Sequence, residues 1–216
     1  MKIRYNAHSC FTIRAKDGTT VVIDPYEPGA FGGAVAYAPV VERPDVVTIS
    51  HDHADHNYTK GFKAPFVEVR KTTEAKGIRF TAVPTFHDAE KGRLRGPNTV
   101  FVIEVDGVRV CHLGDLGHAL EPSHVAAIGR VDVLLAPIGG TFTIDPAGAT
   151  DVLAKLAPRV LIPMHYKTPK IGFDLAAVED FLQGKAKVQR AGKAEAEFTP
   201  DTLPRETTVL VLERTY

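Results

Sequence analysis

Residues 46–56 read VVTISHDHADH, an apolar run that ends in five potential metal ligands. The β-branched residues predict a buried strand, and the change to His and Asp predicts its end. His51 and His53 are two residues apart, so in an extended loop both imidazoles point the same way and can hold one cation. Asp55 and His56 follow a turn and can face a second cation. The stretch therefore predicts a metal centre at the end of a strand.

Four other apolar runs also end in a residue that can bind metal. These residues are Asp24, His87, Asp115 and His165. Ligand sites gather at one end of the strands in folds where helices cover a sheet, so we expect these ends to converge. Two metals about 3.5 to 4 Å apart can share a hydroxide and lower its pKa toward neutrality. We therefore predict a dinuclear site for which His87, Asp115 and His165 are further candidate ligands.

The remaining pattern predicts strands first and alternating helices and strands later. Short β-branched runs dominate the first half, and Asp106-Gly107 between two apolar strands predicts a hairpin with a type I′ turn. Later elements are a helix from Glu121-Pro122 to Ile128, a strand over 131–136, a helix capped by Asp145 to Leu156, a strand over 159–162, a helix over 173–182 and a strand over 207–212. Residues 185–201 are the most polar segment and are predicted to be a mobile hairpin or loop. The residues after this segment are too few for a second domain, so a single domain over 1–216 is predicted.

The composition excludes several function classes. The chain has 26 Lys and Arg against 26 Asp and Glu, and this zero net charge argues against binding to nucleic acid or to an anionic membrane. The beginning of the chain lacks the apolar core of a secretory signal, and no stretch has the apolar density of a membrane span. Cys10 and Cys111 lie in apolar runs and are predicted to be buried free thiols. The expected location is the cytoplasm.

The His51-x-His53-x-Asp55-His56 motif, followed by His87, Gly114-Asp115 and His165, resembles the metallo-β-lactamase superfamily. The resemblance implies an α+β fold, a four-layer αββα sandwich with a dinuclear site at one edge. Finer features resemble the branch of L-ascorbate-6-phosphate lactonase-like metal-dependent hydrolases. They are residues 6–11 (NAHSCF), 23–26 (IDPY), 112–118 (HLGDLGH), 137–143 (PIGGTFT) and 162–166 (IPMHY). One departure is Asn6-Ala7, where that branch often has a glycine before His8.

The resemblance also implies a ligand set. His51, His53 and His87 would hold metal one, Asp55, His56 and His165 would hold metal two, and Asp115 would bridge them. Asp24 resembles the superfamily's first motif, a carboxylate that orients a ligand imidazole, although it could also be a turn residue before Pro25. Di-iron redox members usually carry a carboxylate where this chain has His53, so hydrolysis is favoured. The cofactors are two divalent ions, zinc first, with manganese, iron or nickel also accepted.

Further residues are candidates for contact with substrate. Asp55, Asp115 and His118 are the predicted catalytic residues, and His8 shares with His118 a place on a segment that faces the site. Arg93 and Arg95 could bind a phosphate or carboxylate, since guanidinium forks match such anions, or could belong to a solvated basic loop. Tyr166 could donate to a substrate oxygen or could be a packing residue. His112 lies within a strand and is predicted to be a core histidine.

The working hypothesis is a binuclear hydrolase in which a metal-bridging hydroxide attacks an ester, lactone or phosphoester of a small molecule. The alternatives are an RNA-processing nuclease of the same superfamily and a metal-binding protein without turnover. The nuclease's expected RNA-binding arm is not visible, and the net charge is zero. A neighbouring subunit in a homo-oligomer could complete the cleft, and residues 28–41 are the predicted rim.

Overall fold

The structure, a computed structural model, describes residues 1–63 and 65–216. Fourteen strands in this part of the chain form two mixed sheets. The first sheet contains β1 (Lys2–Ala7), β2 (Cys10–Arg14), β3 (Thr20–Ile23), β4 (Val46–Thr48), β5 (Val67–Val69) and β13 (Glu195–Glu197). Its strand order is β13-β1-β2-β3-β4-β5, antiparallel as far as β3 and parallel from β3 to β5.

The second sheet has eight strands. They are β6 (Thr73–Ala75), β7 (Ile78–Phe86), β8 (Pro97–Val105), β9 (Val108–His112), β10 (Val133–Pro137), β11 (Val160–Met164), β12 (Val188–Arg190) and β14 (Thr208–Val211). Their order is β12-β14-β11-β10-β9-β8-β7-β6. Strands β6 to β9 pair in antiparallel fashion, and β9, β10, β11, β14 and β12 pair in parallel. Parallel strands end at the same edge, which brings the residues after β9 and β11 together.

In the described part of the chain, four short helical segments join these strands: α1 (Ala30–Gly33), α2 (Pro122–Ile128), α3 (Pro146–Leu156) and α4 (Val178–Leu182). Of these, α1 is a single irregular turn, because Phe31 and Gly32 have left-handed backbone angles. Asp145 caps α3, and its carboxylate accepts a hydrogen bond from the Gly148 N–H at 2.7 Å. The predicted hairpin is also present, because Asp106 (φ 53°) and Gly107 (φ 78°) both have the positive φ of a type I′ turn. None of the described helices combines the length and apolar character needed to cross a membrane.

One large core joins the two sheets. Ile3 and Phe11 of the first sheet belong to the same buried cluster as Phe101, Leu135 and Ile162 of the second. Burial of these side chains between the sheets is the main stabilising contribution, at about 25 cal/mol for each Å² removed from water. The α+β sandwich predicted from the sequence is confirmed. Cys10 and Cys111 are both free and buried, as predicted.

Two predictions about the C-terminal part were wrong. Residues 173–177 are not helical, because their backbone groups bond elsewhere: the Phe173 carbonyl accepts from Lys167 Nζ at 2.6 Å, and the Ala176 N–H donates to the Gly139 carbonyl at 2.8 Å. The polar segment 185–201, predicted to be a mobile hairpin or loop, is not a hairpin, and two parts of it are strands paired within the sheets. It contains β12, which extends the second sheet, and β13, which extends the first, so main-chain pairing overrides its polar composition.

Candidate metal centre

Four histidines surround one carboxylate oxygen at the sheet edge. The distances from Asp115 Oδ2 to the histidine Nε2 atoms are 3.1 Å for His56, 3.3 Å for His87, 3.4 Å for His165 and 3.9 Å for His51. All five side chains are buried. The strand ends that the sequence predicted to converge do lie together.

The donors come from both sheets. His51 and His56 follow β4 of the first sheet, whereas His87, Asp115 and His165 follow β7, β9 and β11 of the second. His165 has φ 51°, a left-handed conformation that costs a non-glycine residue of order 1–3 kcal/mol. Its N–H donates to the His8 carbonyl at 2.9 Å, a hydrogen bond between the two sheets that holds this turn.

The donor atoms form two groups that share no residue and a third group that overlaps both, and within each group the atoms lie within 4.8 Å of one another. One group is His51, His53 and His87, and another is His8, Asp55, His56 and His165. They match the two ligand sets that the resemblance implied, with His8 added to the second. A third group, Asp24, His51 and His56, contains the carboxylate behind the ligands.

The donor set fits divalent cations. His51 Nε2 and His53 Nδ1 face each other at 3.1 Å, an approach that suits two nitrogens directed at one cation. Within the described residues, the buried atoms His56 Nε2 and Asp115 Oδ1 have no hydrogen-bond partner. A buried polar atom without a partner costs about 1–3 kcal/mol, which coordination would remove. Imidazole and carboxylate together suit zinc and also manganese or iron.

Asp24 anchors two of the ligands. Its Oδ2 accepts from His56 Nδ1 at 2.9 Å and from Ser50 Oγ at 2.5 Å, while its Oδ1 accepts from the Ser50 N–H at 2.8 Å. Ser50 Oγ also lies 2.9 Å from His51 Nδ1. Since Nδ1 is engaged in both imidazoles, Nε2 is left to face the centre. The orienting role expected of Asp24 fits this geometry, and Ser50 is an intermediary that the sequence analysis missed.

Other contacts orient His87, Asp55 and the backbone of Asp115. His87 Nδ1 donates to the Phe142 carbonyl at 3.1 Å, and His8 Nε2 lies 2.9 Å from Asp55 Oδ2. Asn98 was also missed: its Oδ1 accepts from the Asp115 N–H at 2.9 Å, and its Nδ2 donates to the Leu113 carbonyl at 2.9 Å. Its signal in the sequence was an amide near the start of β8, just before the apolar run 100–103.

The charges in the cluster are set by burial and by neighbouring groups. Burial opposes ionisation of Asp115, yet His165 and His56 hold its pKa well below the usual range. Burial would lower the pKa of His56, but Asp115 and Asp55 raise it well above the ordinary value. Burial and the nearby His56 lower the pKa of His51 to about 3. Because a histidine must be neutral to bind a metal ion, cations and protons would compete for these imidazoles.

Two neighbouring spaces open at the cluster. We call the first the aromatic cavity; it has a volume of about 230 Å³. It is lined by Phe31, His53, Asp55, His87, Arg95, Asp115, Phe142, His165 and Phe173. The second, of about 410 Å³, is the polar groove, lined by Ile49, Ser50, His51, Asp52, His53, Arg70, Arg95, Pro97 and Thr99. Phe31 lies in the predicted rim segment 28–41, and a larger space of about 690 Å³ around Tyr26 and Glu42 is lined by none of the cluster's donors.

Several candidate residues do not reach the cavity. His118 accepts from the Phe86 N–H at 3.2 Å and lies 2.9 Å from the Ala119 carbonyl, so backbone groups engage both ring nitrogens. Arg93 is exposed and pairs with Glu90 at 3.4 Å. Tyr166 packs in the core near Tyr5, and burial raises its pKa to about 12.

Two other histidines are buried, and each has a structural contact. His8 lies behind Asp55 and is 1% exposed, so it supports a ligand and lines neither space. His112 donates to the Ser9 carbonyl at 2.9 Å and accepts from the Gly114 N–H at 3.0 Å, as expected of a core histidine. Of the proposed substrate residues, the structure brings Arg95 to the site.

Residues 2–165 match a family model described as a beta-lactamase superfamily domain. A metal-dependent hydrolase of Thermoplasma acidophilum is 31% identical over 200 residues, which cover 81% of this chain and 85% of the relative. A Thermotoga maritima structure of the metallo-beta-lactamase superfamily has 38% identity and a TM-score of 0.82, covering 99% of both chains. Human tRNase Z, short form, is 14% identical with a TM-score of 0.56, covering 78% of this chain and 93% of that one, a likeness in fold alone.

Proposed function

The chain belongs to the beta-lactamase superfamily and is a metal-dependent hydrolase, and we propose that it uses two divalent cations to hydrolyse an ester, lactone or phosphoester of a small molecule. The observation that carries the proposal is the pair of donor groups that both approach the carboxylate of Asp115. His51, His53 and His87 would hold one cation, and Asp55, His56 and His165 the other. Asp115 would contact both. Bound there, the cations would supply Lewis-acid charge and a water of lowered pKa.

The chain's own residues supply position and a proton acceptor. In the reaction, the water oxygen bonds to the acyl carbon or phosphorus, the bond to the leaving oxygen breaks, and that oxygen takes up a proton. Asp55 and Asp115 both line the aromatic cavity. Burial opposes ionisation of Asp55, but His56 and the hydrogen bond from His8 hold its pKa below the usual range. It is therefore ionised at neutral pH, but a lowered pKa makes it a weak base, so its acceptance of a proton from water in the cavity would depend on the cations lowering the pKa of that water.

The lactonase-like branch, zinc as the preferred ion and self-association are part of the same proposal. The motif that ends in His165-Tyr166 supports the branch, and the imidazole-rich donor set supports zinc. The single domain over 1–216 and the cytoplasmic location remain predictions from the sequence. The nuclease alternative gains no support, because the likeness to tRNase Z is one of fold.

Elemental analysis of untagged protein tests the two-metal proposal first. About two equivalents of transition metal per chain are expected, and the ion found is then used with a panel of lactones, esters and phosphodiesters. Asp115→Asn should lose metal and at least about a hundredfold in kcat/KM, because the shared ligand is weakened. Asp151→Asn, an exposed change on α3, is the matched control. Failure to take up zinc or manganese would contradict the proposal.

A further inference from the structure

The aromatic cavity has a wall made of three phenylalanines. The ring centroids of Phe142 and Phe173 are 5.2 Å apart, and those of Phe31 and Phe173 are 5.6 Å apart, both edge to face. Phe31 is 54% exposed although it stands beside the metal ligands. Covering such a ring removes apolar surface from water, which is favourable by about 25 cal/mol per Å². The wall is therefore suited to an apolar group.

Arg95 lies where the aromatic cavity meets the polar groove and lines both. Its guanidinium carbon lies 5.5 Å from the centre of the Phe142 ring, and its Nη2 donates to the Thr141 carbonyl at 3.2 Å. Among the residues that the structure describes, no carboxylate forms an ion pair with it. Its neighbours differ: Arg70 pairs with Asp52 at 2.7 Å, and Arg93 pairs with Glu90. Arg95 thus offers an uncompensated positive charge at the cavity.

The loop that carries Arg95 is held in place by Asp88. The Asp88 carboxylate accepts hydrogen bonds from four backbone N–H groups, with distances between 2.7 and 3.0 Å. The donors are Glu90, Gly92, Leu94 and Arg95. Burial opposes ionisation, but these donors hold the pKa of Asp88 below its usual range. At Gly92, with φ 79°, an added Cβ would meet the Gly96 carbonyl oxygen at 2.9 Å. The backbone of this loop is therefore fixed before any ligand arrives.

We propose that the substrate has two arms: an apolar arm that packs on the phenylalanine wall and an oxyanionic arm that pairs with Arg95 where the two spaces meet. The inference rests on the proposed function, because the cleaved bond must lie at the ligands between these spaces. His53 lines both spaces, so a bond at His53 can send one arm into each. A guanidinium recognises a carboxylate or a phosphate through two parallel hydrogen bonds.

Calorimetric binding to the metal-loaded protein tests the proposal without turnover. The probes are 4-phenylbutyrate, 3-phenylpropyl phosphate and the neutral 4-phenylbutanamide. We expect at least one anion to bind about tenfold or more tightly than the amide, and the tighter anion identifies the class of oxyanion. Arg95→Gln should abolish this preference, whereas Arg93→Gln, which changes the paired arginine of the same loop, should retain it.

The apolar arm is tested with the same probes. Phe31→Ala should weaken binding of all three by about fivefold, because each loses the same ring contact. Leu94→Ala removes another exposed apolar side chain, one that lines neither space, and should change none of them. Equal affinity for anions and amide, or a preference that survives Arg95→Gln, would overturn the inference.

Turnover separates this inference from the proposed function. Hydrolysis of 4-nitrophenyl hydrogen glutarate adds water across the acyl–oxygen bond and gives glutarate and 4-nitrophenol. Wild type should prefer it to 4-nitrophenyl butyrate by about tenfold in kcat/KM, and Arg95→Gln should reduce the ratio of the two kcat/KM values to about one. Anion binding that depends on Arg95, without turnover of any ester, lactone or phosphodiester, would support the two-arm pocket and contradict the proposed hydrolysis of these substrate classes. Turnover of these substrates without a preference for the anionic ester would support the proposed hydrolysis and contradict the two-arm pocket.

Discussion

At the scale of residues, single side chains that hydrogen-bond to the ligands orient their donor atoms. Asp24 has φ 45° and is completely buried, yet its two oxygens accept three hydrogen bonds from Ser50 and His56. A residue in this backbone conformation is strained unless it is Gly, Asn or Asp. The position therefore requires both a carboxylate and tolerance of positive φ, which Asp combines.

Asp24→Asn should weaken metal binding by about tenfold to a hundredfold while the protein stays folded. Asn tolerates the same backbone angle but replaces the anion behind His56 with a neutral amide. Competition with a chromophoric chelator measures the affinity. Asp145→Asn, which keeps a good cap on α3, should leave affinity unchanged, and equal affinity in both variants would refute this role.

His8 makes the stability of the metal-free protein depend on pH. Burial and the nearby His165 lower its pKa to about 4, whereas in an unfolded chain it is near 6.5. Its contribution is thus present above pH 6.5 and is lost as the pH falls toward 4, by about 1.4 kcal/mol per unit. Urea unfolding at several pH values should show a shallower loss for His8→Gln than for wild type. Parallel curves would contradict this assignment.

At the scale of elements, the ligands follow the ends of strands, and side chains within neighbouring strands fix the relative positions of those ends. Asn98 in β8 bonds to the Asp115 N–H just beyond β9, and its amide group donates to Thr85 in β7. One side chain therefore links three neighbouring strands immediately below the cluster. Gly114 packs against it, since an added Cβ there would lie 2.3 Å from Asn98 Oδ1.

Asn98→Ala should lower the free energy of unfolding by about 1–3 kcal/mol or more, because it leaves the buried Asp115 N–H without its acceptor. Metal affinity should fall in the same variant, since the backbone that carries Asp115 is loosened. Urea unfolding and chelator competition measure the two effects. Gln189→Ala, on the exposed strand β12, should change neither; a fully stable Asn98→Ala protein would show that the contact contributes nothing.

At the scale of the whole molecule, the metal centre requires both sheets, because neither sheet alone supplies a complete donor group. His51 and His53 follow the first sheet, and His87 follows the second, so the first donor group forms only when the sheets pack together. Cations that bind the packed state and not the unfolded chain stabilise it by mass action. Metal binding and sheet packing are therefore coupled.

The buried thiols report on this coupling. Burial raises the pKa values of Cys10 in the first sheet and Cys111 in the second, so neither should react quickly with Ellman's reagent in the folded protein. Removing metal should speed the reaction of both thiols, as measured by nitrothiobenzoate release in moderate urea. If metal removal leaves both rates unchanged, the cations do not hold the sheets together.

Local patterns were enough to predict much of this protein. The ligand residues at strand ends, the Asp106-Gly107 hairpin and the helix capped by Asp145 follow from short stretches, because strand periodicity, turn chemistry and capping act over a few neighbouring residues. Other features depended on partners distant in sequence. Arg93 and Arg95 are equivalent in the sequence, yet a glutamate neutralises one and the cavity receives the other.

The same physical reason explains the wrong predictions. The polar segment 185–201 forms strands because the edges of both sheets offer it unpaired backbone groups, and residues 173–177 leave the helix because Lys167 and Gly139 bond to their backbone. His8 and His118 were expected to face substrate. Instead, His8 contacts Asp55 and His118 bonds to backbone groups. The sequence determined which chemical groups are present at the strand ends. Tertiary packing alone decided which of them face one another, because those neighbours come from distant parts of the chain.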